Sequence, residues 1–280
     1  MCIYQTGSAK APRIIRKHYD DYYLRGTTDE FGLEVGNFDQ ESGTIADFGD
    51  IFDDSKNPWD IHGRILAIMK DITLHNKLRP LTLGGDHSIT FPLVRALVEC
   101  IGKPLIIVHY DAHPDFYPCL KGDPLSHAST FTRIMEYPTA ASGNPQLCTQ
   151  LVQIGIRSFD KDQLDCMSGH PVEVIPARKL PLNPDDLWRN LKDRIPPDAL
   201  VYVSVDIDVL DPAFAPGVSH RESGGLSTRE LLNIMHAMPG KLVGCDIVEY
   251  NVDRDVDFLT ADVAAKLMNE LAGRLVRDYC

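Results

Sequence analysis

The chain has 280 residues, with 28 Lys and Arg against 40 Asp and Glu, which gives a formal net charge of −12 at pH 7. This acidic balance argues against a nucleic-acid partner, which a basic patch would attract, and no apolar run approaches the ~20 residues that span a membrane. The length suits one large hydrophobic core, so we predict a single α/β domain over residues 1–280.

Strands and helices are predicted to alternate along the chain. Residues 29–56, rich in Asp, Gly and Ser, are expected to form a mobile loop near the site or an oligomer contact. Residues 59–76 then carry apolar side chains at helical spacing. The later predicted strands are 81–83, 105–110, 151–154, 172–175, 201–205 and 242–245, and the later predicted helices are 91–100, 131–136, 184–195 and 262–278. A capping box, Ser227 with Glu230, predicts the start of one more helix.

The most informative pattern is Asp111-Ala112-His113-Pro114-Asp115, which directly follows the apolar strand 105–110. Side chains of an extended chain alternate between faces, so Asp111, His113 and Asp115 project from one face. Such polar and charged groups are costly to bury together unless a cation offsets them. Taken alone, the same triplet could instead cap a helix or hydrogen-bond a turn.

The pattern recurs after two other predicted strands. Asp206 and Asp208 follow strand 201–205 with the same alternate spacing. His87 follows strand 81–83 after two glycines, which let the backbone turn tightly. In open α/β sheets, ligands bind at the carboxyl ends of the strands, so these side chains are predicted to meet at one edge.

The predicted donor set holds four carboxylates and two imidazoles, more than a single tetrahedral zinc uses. Carboxylates can bridge two ions about 3.5 Å apart, and oxygen-rich ligation with some imidazole favours manganese over thiolate-preferring metals. We therefore predict a binuclear site with two Mn²⁺ ions per chain. Its ligands are His87, Asp111, His113, Asp115, Asp206 and Asp208. Asp86 and Asp211, beside these residues, are interpreted as structural helpers.

Three further side chains lie close to the predicted site in sequence. His109, inside strand 105–110, is interpreted as a satisfied core residue. His220, in the loop after the third motif, is interpreted as able to reach the mouth of the site. Cys119 lies in the loop 116–125, which is expected to contact the substrate, and is the cysteine that we single out.

Three motifs resemble the signatures of the ureohydrolase family, which includes arginases and agmatinases. They are residues 84–88, 111–115 and 204–212. The resemblance runs from about Arg13 to the C-terminus, and residues 126–136 and 212–227 look most like plant-type arginases. It implies the three-layer α-β-α sandwich of arginases and deacetylases around a mostly parallel twisted sheet. It also implies a homo-oligomer, a trimer or hexamer, and a first strand for which only residues 2–5 are present here.

The resemblance also implies roles for individual residues. The six predicted ligands match the metal ligands of the family. His127 matches a histidine that relays a proton to the leaving amine, and Glu249 matches a glutamate that grips the substrate guanidinium. Asp160 falls where animal arginases place an aspartate that contacts the substrate α-amino group. Glu249 also follows the apolar run 242–245, which independently predicts that it lies at the same sheet edge.

These residues suit the hydrolysis of a guanidino C–N bond with release of urea. A guanidinium is a poor electrophile, and metal coordination lowers the pKa of bound water enough to supply a strong nucleophile, which Asp115 would orient. The carboxylate of Glu249 can pair with the planar guanidinium through two hydrogen bonds, and the imidazole of His127 can pass a proton to the departing amine. The predicted substrate is a small cationic guanidino compound, with L-arginine, giving ornithine and urea, as the first choice.

Alternatives stay open at this point. Tyr117 and Leu125 stand where animal arginases have asparagines that recognise the α-carboxylate of arginine, although plant-type arginases lack them too. Agmatine, giving putrescine, or 4-guanidinobutyrate could replace arginine, and a formimino compound or free guanidine is a further candidate. A non-catalytic protein on the same scaffold is the alternative class, and the retained ligands, His127 and Glu249 argue against it.

The cysteines and the N-terminal charges bear on the compartment. The chain has seven cysteines, an odd number without a CxxC pair, which indicates reduced thiols. Residues 16–21 mix basic and acidic side chains, unlike a signal or transit peptide. We therefore expect a cytoplasmic protein.

Overall fold

Parallel strands form the centre of the computed structural model, which describes residues 6–23, 27–35, 45–51, 57–76, 78–137 and 145–279. Within these ranges, six strands pair in the order β1-β6-β5-β2-β3-β4, and every pairing is parallel. They are β1 (Leu81–Leu83), β2 (Leu105–Tyr110), β3 (Cys148–Ile156), β4 (Val172–Pro176), β5 (Leu200–Asp206) and β6 (Lys241–Val248). The predicted parallel sheet is therefore confirmed, while a single domain over residues 1–280 stays a prediction.

Helices cover both faces of this sheet. They are α1 (Ala11–Tyr22), α2 (Pro58–Asn76), α3 (Thr90–Ile101), α4 (Thr130–Met135), α5 (Lys161–Met167), α6 (Pro184–Asn190), α7 (Thr228–His236) and α8 (Leu259–Tyr279). Along β2, Val108 and Tyr110 pack into the core shared with α1, α6, α7 and α8, and Ile107 packs into the core shared with α2, α3 and α4. This alternation, with period two, produces the three layers that the family resemblance implied.

Several boundaries differ from those predicted. Helix α6 ends at Asn190 rather than at 195, because the chain turns over residues 191–194. The sequence reasoning missed α5 entirely, and it also missed α1, which buries Ile15 and Tyr19 on one face and packs against α8. Helix α5 has only seven residues, so its apolar spacing is a weak signal. Helix α1 has 12 residues with Ala11, Ile15 and Tyr19 at helical spacing, a signal that could have been noticed.

The acidic stretch 29–56 is better ordered than expected in part of its length. Asp29 is buried, pairs with Arg277 of α8, and accepts hydrogen bonds from the backbone N–H groups of Phe31 and Leu33. Residues 36–44 and 52–56 lie outside the described ranges, as does the N-terminal lead 2–5. Where the chain is described, no helix is both long and apolar enough to cross a membrane.

A bulge in β3 brings this strand close to the ends of its neighbours. The register with β4 shifts between Ile154 and Ile156, and Gly155 between them has a φ of +99°. A Cβ at Gly155 would lie 2.6 Å from Cγ2 of Val209 and 3.0 Å from the carbonyl oxygen of Asp111. Glycine is therefore required here both by backbone conformation and by space.

We expect Gly155→Ala to lower the free energy of unfolding by about 2–4 kcal/mol, because it adds an overpacked methyl to an unfavourable φ. Gly169→Ala is the matched control, since Gly169 has a φ of +91° but no atom within 4 Å of its added Cβ. The control should lose only about 1 kcal/mol. Equal losses in urea denaturation would show that the contact with Val209 does not matter.

Candidate metal centre

The carboxyl ends of three adjacent strands, β6, β5 and β2, bring the predicted site residues together. Tyr110 of β2 pairs with Val205 of β5, and Asp206 of β5 pairs with Val248 of β6, so these strands end at similar heights. Asp111, Asp208 and Glu249 follow directly beyond these ends. His87 begins a short 3₁₀ helix, His87–Ile89, after β1 at the same edge.

One group of side chains surrounds His87, and we call it the first cluster. Nδ1 of His87 lies 3.3 Å from Oδ2 of Asp111, 3.0 Å from Oδ2 of Asp115 and 3.4 Å from Oδ2 of Asp206. All four side chains are buried. Within the described chain this Nδ1 has no hydrogen-bond partner, although it is out of contact with solvent. An imidazole nitrogen facing three carboxylates in this way fits a cation held between them.

A second group surrounds His113, and we call it the second cluster. Nδ1 of His113 lies 3.0 Å from Oδ2 of Asp208 and 3.5 Å from Oδ1 of Asp111. These three residues form one of the groups that could hold a metal ion. Asp111 thus turns one carboxylate oxygen towards His87 and the other towards His113. This arrangement suits a carboxylate that bridges two cations.

A buried network sets the orientation of His87. Its Nε2 lies 2.9 Å from Oγ of Ser204, and Ser204 donates its own hydroxyl proton to Asp246 at 2.6 Å. Asp246 also accepts hydrogen bonds from Tyr202 and Thr90. Since Ser204 has already donated its proton, it accepts one from Nε2 of His87, and this tautomer leaves the lone pair of Nδ1 facing the first cluster.

His109 supports Asp111. Its Nε2 lies 2.7 Å from Oδ2 of Asp111, and its Nδ1 accepts a hydrogen bond of 3.1 Å from the side-chain amide of Gln153. Both ring nitrogens are therefore engaged, and burial lowers the pKa of His109, which favours the neutral ring. The interpretation of His109 as a satisfied core residue agrees with these contacts, and they add that it orients a predicted ligand.

The buried negative charge of the two clusters must be offset by positive charge. Burial, together with Asp208 and Asp111, raises the pKa of Asp206 well above its usual value, and burial with Asp111 raises the pKa of Asp208. Burial opposes the charged form of His113, yet Asp208 and Asp111 still raise its pKa above the ordinary value. The protein alone can hold these carboxylates together only by retaining protons, whereas divalent cations would neutralise them. The candidate ligand atoms are carboxylate oxygens and imidazole nitrogens, with no thiolate among them, and this donor set fits manganese.

Two predicted site residues have strained backbone. Asp115 and Glu249 have φ values of +50° and +63°, in a region that non-glycine residues seldom occupy. Glu249 accepts a 2.9 Å hydrogen bond from the backbone N–H of His87 on Oε1, while within the described chain its buried Oε2 has no hydrogen-bond partner. Burial, then the neighbouring Asp86, raises the pKa of Glu249 well above its usual value. Strain and a free buried carboxylate oxygen are typical of a functional position.

The mouth of the site carries two histidines beside the second cluster. The rings of His127 and His220 stack with centroids 6.0 Å apart, and His220 lies 5.9 Å from the ring of His113. His220 therefore reaches the site, as interpreted from the sequence. Nδ1 of His127 is buried and, among the described residues, has no hydrogen-bond partner. A free imidazole nitrogen at this place could carry a proton.

Asp160 lies on the exposed rim, where sequence reasoning missed its main contact. Its Oδ1 accepts a 3.0 Å hydrogen bond from the backbone N–H of Gln163 and so caps α5. Its Oδ2 accepts a 2.5 Å hydrogen bond from the hydroxyl of Tyr117, which lowers the pKa of Asp160. Because α5 was not predicted, its N-cap could not be recognised from the sequence.

The two aspartates interpreted as helpers have local contacts of that kind. Asp86 accepts hydrogen bonds from the backbone and hydroxyl of Ser88 and caps the 3₁₀ helix that begins at His87. Asp211 accepts hydrogen bonds from the backbone N–H groups of Ala213, Gly224 and Gly225. Ser204 and Asp246, which were not selected, could have been noticed as polar residues inside otherwise apolar strands.

Known proteins resemble this chain in sequence and in fold. The model of the Arginase family matches residues 1–273, and the chain belongs to this family. It is 49% identical over 199 residues to "Arginase 1, mitochondrial" of Arabidopsis thaliana, a match covering 71% of this chain and 55% of that protein. It is 41% identical over 278 residues to "Arginase, mitochondrial" of Medicago truncatula, covering 97% and 78%. A solved structure of arginase from Medicago truncatula has a TM-score of 0.77 at 38% identity, covering 96% of this chain and 82% of that one.

These comparisons confirm the resemblance to ureohydrolases and correct one expectation. The chain matches little more than half the length of the Arabidopsis relative, 55%. The expected cytoplasmic location is wrong, because both plant relatives are named mitochondrial. The error has a physical reason. Free thiols, such as Cys148 and Cys245, indicate a reducing environment but do not distinguish the cytoplasm from the reducing interior of an organelle.

We expect Mn²⁺ to stabilise the chelator-treated protein more at pH 8 than at pH 6. Burial and neighbouring carboxylates raise the pKa values of Asp206 and Asp208 in the folded protein, so the contribution of these two groups to the stability of the metal-free form is greatest at low pH and is lost as the pH rises above about 4. Cation binding releases these protons, so its contribution grows with pH. At 100 times its dissociation constant a single ion contributes about 2.7 kcal/mol.

The measurement is the melting temperature with and without Mn²⁺ at both pH values. Asp208→Asn is the control, since it removes one carboxylate from the second cluster. An equal gain at both pH values, or a full gain in this variant, would contradict the expectation.

Proposed function

We propose that this protein is a binuclear manganese hydrolase that converts L-arginine and water to ornithine and urea. The observation that carries the proposal is the carboxylate of Asp111 shared between two imidazoles. At the same strand edge lies Oε2 of Glu249, which has no hydrogen-bond partner in the described part of the chain. The family membership and the plant arginases among its relatives support the same reaction.

The two clusters are the proposed sites of the cations. His87, Asp111, Asp115 and Asp206 would hold one Mn²⁺, and His113, Asp111 and Asp208 would hold the other. When bound, two such ions supply Lewis acidity and activate water for attack at near-neutral pH. Asp115, whose carboxylate lies in the first cluster, is proposed to accept a hydrogen bond from the attacking water and orient it.

Glu249 is proposed to bind the guanidinium. Its Oε1 is held by the backbone N–H of His87, so the carboxylate has a fixed orientation, and its Oε2 remains available for an N–H donor. A carboxylate and a guanidinium pair strongly because the bond is assisted by charge on both sides. This contact would keep the central carbon beside the two clusters.

His127 is proposed to move the proton. As water adds to the guanidinium carbon and its C–N bond to the alkyl chain breaks, the departing amine must take up a proton. Nδ1 of His127 is buried beside His220 and has no hydrogen-bond partner among the residues that the structure describes, which supports a role as the group that delivers this proton. Urea then leaves with the oxygen of the water, and the amine leaves protonated.

Asp160 is proposed to contact the amine of the substrate, the positively charged group at the end away from the guanidinium. Its carboxylate is exposed and is oriented by both Tyr117 and the N-terminus of α5. A fixed negative charge on the rim favours substrates with an amine at the far end, such as arginine or agmatine, over 4-guanidinobutyrate, which carries a carboxylate there. Agmatine is for this reason the second candidate.

The location and assembly are also proposals. The names of the plant relatives support an organelle such as the mitochondrion. A homo-oligomer, trimer or hexamer, remains a prediction.

The function is tested by urea release from manganese-loaded protein with arginine, agmatine and 4-guanidinobutyrate in parallel. We expect arginine to be the best substrate and Glu249→Gln to lower kcat/KM by about 100-fold, because a charge-assisted contact is lost. Manganese content should be unchanged in this variant. No urea from any substrate, with both ions bound, would reject the proposal.

Asp160→Asn is expected to raise KM for arginine and agmatine by about three- to tenfold, since a charged contact at an exposed site is modest. The value of kcat should change little, and the KM for 4-guanidinobutyrate should stay the same or fall. Asp162→Asn, on the exposed first turn of the same helix, is the matched control. The same change in KM for all three substrates would argue against a contact with the amine.

A further inference from the structure

Arg157 lies directly after β3, and its side chain reaches the loop that follows β5. Nη2 donates to the carbonyl oxygens of Asp208 and Glu222 at 2.7 and 2.8 Å. Weaker hydrogen bonds, of 3.2 and 3.3 Å, join the same guanidinium to the carbonyls of Val209 and Leu210. One side chain therefore holds both ends of the loop 208–222.

The backbone of Arg157 ties this loop to β2 as well. Its N–H donates to the carbonyl oxygen of Ala112 at 2.8 Å. The N–H of Ala112 in turn donates to Oδ1 of Asp208 at 3.0 Å, which leaves Oδ2 of Asp208 facing His113. The ends of β2, β3 and β5 are thus connected through Arg157 and Ala112.

The loop held by Arg157 carries two carboxylates that flank His113. Asp208 faces Nδ1 of His113, and Oε1 of Glu222 lies 3.6 Å from its Nε2. His113 is partly exposed, with 23% of its side chain accessible, whereas His87 is fully buried. The buried surroundings and the hydrogen bond with Ser204 therefore orient His87, while His113 depends more on the two residues of this loop.

An arginine is needed for this geometry. Its guanidinium spreads five N–H donors over three nitrogens: Nη2 donates to the carbonyls of Asp208 and Glu222, Nη1 to that of Val209, and Nε again to that of Glu222. A lysine ammonium has three donors on one nitrogen and cannot keep all of these hydrogen bonds. The space is also closed, because a Cβ on Gly225 would lie 2.6 Å from Nη2 of Arg157.

We propose that Arg157 is a positioning residue for the second cluster: by holding the loop 208–222 it sets the positions of Asp208 and Glu222 and thereby the affinity for the cation beside His113. This inference rests on the proposed metal centre. The residue acts through its neighbours, since its guanidinium donates to backbone carbonyls of the loop and it is not one of the predicted ligands. Mutation of residues that orient metal ligands without binding the metal typically lowers the metal affinity by about 10- to 100-fold.

The test is Mn²⁺ binding to Arg157→Lys, followed through the EPR signal of free Mn²⁺, with circular dichroism to confirm folding. Wild-type protein should bind two equivalents. In the variant one equivalent should bind about 10- to 100-fold more weakly, and the other should be unchanged. Combining Arg157→Lys with Asp208→Asn should add little further loss, because both act on the same equivalent.

Arg274→Lys is the matched control. Arg274 also donates to two carbonyl oxygens, those of Met238 and Gly240, at 3.0 and 2.7 Å, but at the opposite end of the sheet where β6 begins. We expect a comparable fall in melting temperature with both Mn²⁺ equivalents bound as in the wild type. Equal weakening in the two arginine variants would assign the effect to general stability and overturn the inference.

Glu222→Gln keeps the test decisive if Arg157→Lys does not fold. It leaves the backbone carbonyl that Arg157 holds, removes the charge beside Nε2 of His113, and should weaken the same equivalent. Unchanged binding of two equivalents in Arg157→Lys, or in Glu222→Gln if the lysine variant does not fold, would overturn the inference while leaving the metal centre in place. Absence of Mn²⁺ binding by the wild-type protein would instead reject the metal centre itself.

Discussion

The site depends on one carboxylate, Asp111, that faces two imidazoles at once. It follows the central strand β2, so one oxygen faces His87 and the other faces His113. Its neighbours Asp206 and Asp208 bring more negative charge into a buried region, which is unfavourable unless protons or cations offset it. In this fold the strands are parallel, so their carboxyl ends lie at one edge of the sheet and place these charged groups side by side.

Three of the six predicted ligands are supported by a neighbouring polar residue. His87 is oriented by Ser204, Asp111 by His109, and the loop of Asp208 by Arg157. These supports differ in burial. Ser204 and His109 are fully enclosed and their groups satisfied, whereas Arg157 is only partly covered. The first cluster is consequently held by the core, and the second by a surface loop and the residue that holds it.

The metal end and the substrate end of the site follow different physical rules. The clusters are buried, so removing any charged group leaves its partners uncompensated, and little variation is tolerated. Tyr117 and Asp160 lie on the rim, where solvent screens their charge and a substitution costs little stability. Substrate choice can therefore change on the rim while the chemistry at the sheet edge is kept, which fits a family containing arginases and agmatinases.

The sequence by itself determined the alternation of strands and helices and the clustering of His87, Asp111 and Asp206 at one edge, because both follow from local periodicity and from the parallel order of strands. Only the tertiary structure decided which groups support them. The contacts of Ser204 with His87, of Tyr117 with Asp160 and of Arg157 with the loop 208–222 join residues distant in the chain. No local pattern encodes such pairs, since they depend on strand order and on side-chain reach across the folded edge.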